Sequence, residues 1–101
     1  MGIYFDTLEP FEQAAVYTHA LREFANEGRG LTASYAQPQR LAYLAASTEA
    51  VAANPDAVKQ VVAEHKRWIG LEGIDEQESF ERVRHQIEMM VRYKELGGRS
   101  A

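Results

Sequence analysis

Apolar side chains recur at three- and four-residue spacing through most of the chain, and that period predicts helices. The first carries a broad apolar stripe of Phe11, Ala14, Ala15, Tyr17, Thr18, Leu21, Phe24 and Ala25, with Glu12, His19, Arg22, Glu23 and Asn26 mainly on its other side. Asp6 is its expected cap, with Glu9 three residues on and Pro10 tolerated in a first turn that lacks internal N–H bonds. The glycines at 28 and 30 should turn the chain, and a loop should follow through Ser34 to Gln37.

A second helix is expected from Pro38, a residue suited to the first helical position, with Leu41, Leu44, Ala45, Thr48, Val51 and Ala52 at helical spacing. Asn54-Pro55 stops it and starts the third, since proline cannot continue a helix yet suits position one of the next, with Asn54 as cap. Val58, Val61, Val62, His65, Trp68 and Ile69 give the third helix its apolar face, and Gly70 to Gly73 should end it. Asp75-Glu76-Gln77-Glu78 resembles a capping box that opens a fourth helix with the core stripe Phe80, Val83, Ile87, Met90 and Val91. Ile3 to Phe5 is too short for a convincing strand and reads as an aromatic flap packed on the bundle; Gly97 to Ala101 reads as a frayed tail.

The expected architecture is therefore all-α, a four-helix bundle or compact helical array in a single domain over 1–101, with helices over 8–27, 38–53, 55–69 and 76–96. The second helix is the candidate for its centre. Between Gly30 and Pro55 only Arg40 and Glu49 are charged, in a chain where 26% of residues are, and a helix apolar on most sides is stable only when covered. That cover comes either from the rest of the chain or from another subunit.

Composition narrows the chemistry. There is no cysteine, hence no disulfide, thiolate metal site or thiol nucleophile, which fits a reducing compartment. No window approaches the roughly 18 apolar residues of a membrane span, and a cytoplasmic, soluble protein is expected. The net charge is −4, all of it in residues 1–58, and no basic stripe is present to displace counterions from nucleic acid. A helix-turn-helix reading of Leu41 to Thr48 fails on the next stretch, Glu49 to Asn54, which offers no arginine, lysine or glutamine to read base edges.

Few residues are arranged for catalysis. No serine lies in a nucleophile elbow, Gly28-Arg29-Gly30 lacks the other parts of a phosphate loop, and Val16, Val62 and Arg82 stand where a di-iron bundle needs glutamate three before each histidine. His85 with Glu81 and Glu88, and His19 with Glu12 and Glu23, read as solvated charged faces rather than cation sites. His65 differs, because its helical neighbours Val61, Val62, Trp68 and Ile69 turn it inward. It is expected to be a core histidine bonded to a carbonyl or to the hydroxyl of Tyr17, Tyr43 or Tyr93.

Function then defaults to binding another protein: a small interaction or regulatory protein without catalysis of its own, acting as a homodimer or as a subunit of an assembly. Its candidate interface is Leu41, Tyr43, Leu44, Ala46 and Val51, joined by Met89 and Met90, with internal core as the competing role, above all for Leu44 and Met90. No cofactor, metal, nucleic acid or membrane is expected. The alternative is a ligand- or metal-binding bundle organised around His65 with Tyr17, Tyr43 and Trp68; a DNA-binding regulator is a distant third.

Overall fold

The computed structural model describes residues 3–27 and 37–96, and the expected turn at the first glycines, the loop after it and the C-terminal tail lie outside them. The described residues form an all-α array: α1 (Ile3–Asp6), α2 (Pro10–Asn26), α3 (Gln37–Ala52), α4 (Pro55–Glu72) and α5 (Glu76–Glu95). The local signals at the later helix ends act as the sequence suggests. Asn54 Oδ1 accepts the N–H groups of Asp56 and Ala57 at 3.1 and 3.2 Å, and Asp75 Oδ1 accepts that of Glu78 at 2.8 Å.

Three boundaries differ from expectation. The stretch expected as a flap is a single helical turn, and Asp6 closes it instead of capping the next helix. Glu9 takes the capping position ahead of Pro10, its backbone N–H donating to Glu12 Oε1 at 2.9 Å. The α4 helix runs through Gly70 to Glu72 and ends where Gly73 adopts φ 74°, the left-handed conformation that only glycine takes without strain. There Ile74 N–H donates back to Ile69 C=O at 3.1 Å, and Gly73 N–H to Gly70 C=O at 3.3 Å, closing the last turn.

The centre of the array is α2, not α3. It packs against α3, α4 and α5 together, and buries Ala14, Ala15, Val16, Tyr17, Ala20 and Phe24, residues on nearly all its sides. Its alanines permit this, since small side chains let several neighbours approach at once. By contrast α3 buries Leu44, Thr48 and Ala52 but leaves Ala42, Ala46 and Ala50 in solvent. A lack of charge does not by itself require cover, because alanine gains little area on burial and is equally at home exposed on a helix.

The core joins Phe5, Val16, Tyr17, Ala20, Leu44, Ala52, Ile87 and Met90, with Leu41, Tyr43, Val51, Phe80, Val83 and Val91 half-buried around it. Thr48 spends its hydroxyl inside the same helix, donating to Leu44 C=O at 2.7 Å. The α1 turn, too short to persist alone, is held by three other contacts. Glu49 of α3 accepts the N–H groups of Tyr4 and Phe5 at 2.8 and 3.1 Å, the Phe5 ring is fully buried, and Lys94 Nζ lies 4.9 Å from the centre of that ring and 3.7 Å from Asp6 Oδ1.

Candidate functional site

The residues singled out in the sequence separate into two groups, interior and surface. Of the candidate interface, Leu44 and Met90 are fully buried within the chain, which corrects their assignment to an intersubunit surface. Leu41, Tyr43 and Val51 are half-buried against the core; Ala46 is exposed, and so is Met89. Leu41 and Met89 line the same small cleft, together with Tyr17, Arg40, Leu44 and Gln86.

The four residues expected to organise a ligand site around His65 are each engaged elsewhere. The Tyr17 hydroxyl donates to Gln86 Oε1 at 3.3 Å, and burial pushes its pKa up while the Arg40 guanidinium draws it back. The Tyr43 hydroxyl donates to Glu27 Oε2 at 2.8 Å, and its ring meets Phe24 at 5.3 Å. Trp68 stacks under Arg22. His65 has Phe11 at 5.4 Å between ring centres and, as its hydrogen-bond partner, not a tyrosine or a carbonyl but Ser79, with Nε2 to Oγ at 2.6 Å.

This serine and histidine tie α5 to α4 across the face covered by α2, a pairing that sequence reasoning missed. The available signal was periodicity: stepping back four residues from Val83 along the α5 stripe lands on Ser79. A serine on an imidazole invites comparison with nucleophilic catalysis, but both side chains are buried and, among the described residues, no hydrogen bond orients His65 Nδ1. The pair fits an internal fastener.

The same geometry makes His65 sensitive to acid. Burial holds its pKa below the ordinary 6.5, and the positive charge of Arg22 pushes the same way against a smaller opposing pull from Glu72. With the folded-state value depressed, neutral His65 contributes stability that is fully present above 6.5 and is lost as pH falls below it toward the folded-state value. Thermal unfolding at neutral and mildly acidic pH is therefore expected to show a larger acid-induced drop in Tm for the native chain than for His65→Asn. An equal drop in both would contradict the buried, neutral imidazole.

His85 is 84% exposed in its side chain, with Nδ1 4.0 Å from Glu88, while Glu81 pairs with Arg84 at 3.3 Å. Among the described residues no three histidine or acidic side chains gather to hold a metal ion, and no helix is long and apolar enough to cross a membrane.

Among the described residues the least satisfied apolar surface lies on α4. Leu71 is 83% exposed and Trp68, expected in the core, is 45% exposed. Around α4 Trp68 lies about 60° from His65 and about 100° from Ile69, the buried edge of the helix, so helical spacing alone could not decide its side. Its ring is covered in part by the Arg22 guanidinium of α2, 4.6 Å from the ring centre, and Arg22 is held by Glu64 at 3.7 Å. Beside them an open groove of about 540 Å³ runs along α4, lined by Arg22, Glu64, Lys66, Arg67, Trp68, Gly70 and Leu71. A second shallow groove of about 560 Å³ lies over α5, where Phe80, Ile87, Val91 and Leu96 are rimmed by charged residues of both signs.

Comparison with protein-family models, with curated proteins and with solved structures yields no match to this chain.

Proposed function

We propose that the chain is a small, cytoplasmic protein-binding or regulatory domain without catalysis of its own, which docks a partner protein on the groove of α4. The observation that carries this reading is the exposure of Trp68 and Leu71 side by side. Single exposed apolar residues are ordinary on a protein surface. A tryptophan stacked with an arginine and adjoining a leucine that is almost wholly in water has instead the composition of a binding hot spot, in which a few aromatic and arginine side chains carry most of the affinity. Covering a side chain of this kind stabilises a complex by roughly 1.5–3 kcal/mol, a gain the isolated chain leaves unused.

Leu71→Asp and Trp68→Ala, both at exposed positions, should leave the helical content unchanged and reduce recovery of the partner from native cells at least tenfold on the order of a hot-spot loss. Quantitative affinity purification with the native chain and both variants reads this directly. Equal recovery with all three would contradict it.

Self-association through α3 is the second reading, favoured by the charge-free outer face of Ala42, Ala46 and Ala50, which fall within one side of the helix. Small side chains there would let a second copy of α3 approach closely. Sedimentation velocity should then give a dimer that Ala46→Glu converts to monomer, with Leu71→Asp leaving it intact; a monomeric native chain would end this reading.

A further inference from the structure

We propose that the partner segment seated in the α4 groove is acidic and amphipathic, with a bulky apolar side chain that packs on Trp68 and Leu71 and carboxylates that meet Arg67 and Lys66. The inference rests on the docking reading above and adds the chemistry of the occupant. In a chain of net charge −4 the groove is a local exception, lined by three cations and one carboxylate. That carboxylate, Glu64, is already directed at Arg22, which itself lies on the Trp68 ring. Arg22 thus acts as a fixed wall. Lys66 and Arg67 form no ion pair among the described residues, so theirs are the positive charges left to a ligand.

Charge complementarity of this kind selects partner and orientation more than it adds raw affinity. An acidic segment would be repelled by the acidic first half of the chain and attracted to the cations of the groove, whereas a basic one would be drawn to that first half and away from the groove. The apolar pair supplies the anchor, and the two unpaired cations supply the register.

The test is selection of binders to the full chain from a displayed random-peptide library lacking tryptophan, followed by titration of the synthesised winners. Because Trp68 is the only tryptophan in the chain, its emission reports occupancy of the groove without a label. The proposal predicts winners with an apolar anchor flanked by Asp or Glu, a shift in Trp68 emission, affinity that falls with added salt, and at least a tenfold loss with Arg67→Glu.

Winners that need Leu71 but show no acidic excess and tolerate Arg67→Glu would overturn the acidic partner while leaving the docking groove. Winners indifferent to Leu71→Asp, or no selectable binder at all, would overturn both. Phosphatidylglycerol vesicles and a single-stranded oligonucleotide serve as parallel probes; a larger Trp68 response to either than to the acidic peptides would overturn a protein segment as the occupant.

Discussion

Tyr17→Ala is expected to lower the free energy of unfolding by about 3–5 kcal/mol, the range for deleting a large buried aromatic. Tyr17 is 2% exposed and lies in the core cluster with Phe5, Val16, Leu44, Ile87 and Met90, where α2 faces the helices around it. The loss should fall high in that range. The neighbours of Tyr17 on its own helix include Ala14 and Ala20, which have no rotamers with which to fill a hole, so the cavity persists instead of collapsing. Tyr17→Phe keeps the ring and gives up the hydroxyl's contacts with Gln86 and Arg40, and should cost no more than about 1.5 kcal/mol. Urea unfolding followed by circular dichroism measures both; a loss below about 1 kcal/mol for the alanine variant would mean that α2 is not the centre of the fold.

Phe5→Ala is expected to have an effect of similar size, about 3–5 kcal/mol, although it alters a helix of four residues. A single turn has no stability of its own, because fixing its dihedrals costs more than its few hydrogen bonds return. What orders α1 is the burial of Phe5, the reception of two of its N–H groups by Glu49, and the Lys94 ammonium over the Phe5 ring. Removing the ring takes away the largest of these and exposes part of the Lys94 and Leu44 environment to water. Hydrogen exchange should then show the amides of Tyr4 and Phe5 released and the rest of the core weakened, while Phe5→Leu recovers most of the stability. An alanine variant within about 1 kcal/mol of the native chain would show that α1 does not hold the core.

What could be read from the sequence was what local chemistry decides. Asn54 and Asp75 cap helices because a short polar side chain reaches only its own next turn, and Pro55 fixes the junction for the same local reason. The stripe of α5 was legible because Phe80, Val83, Ile87, Met90 and Val91 contrast with charged neighbours, and Ile87 and Met90 are indeed its buried members. Contrast is also what α3 lacks: its alanines are compatible with either side, so composition suggested a covered helix where the fold leaves one face bare.

The candidate site was legible only in fragments. That His65 faces inward follows from its helical neighbours, but its bond to Ser79 depends on how α4 and α5 dock, which no local rule contains. Trp68 sits at the margin of its apolar face, and the contact of its ring with Arg22 depends on how α2 and α4 pack, which helical spacing does not contain. Leu71, 83% exposed, is not marked by the periodicity, because it follows Gly70, where the sequence predicts the third helix to end. The continuation of α4 to Glu72 is what carries Leu71 onto the groove.

The most direct test of a docking surface on α4 is site-specific photo-crosslinking in the native host, with the photoreactive residue placed at Leu71 in one variant and at exposed Gln77 on α5 in another. The account predicts a discrete crosslinked protein from position 71 and none from position 77. No product from 71, or the same products from both, would contradict it.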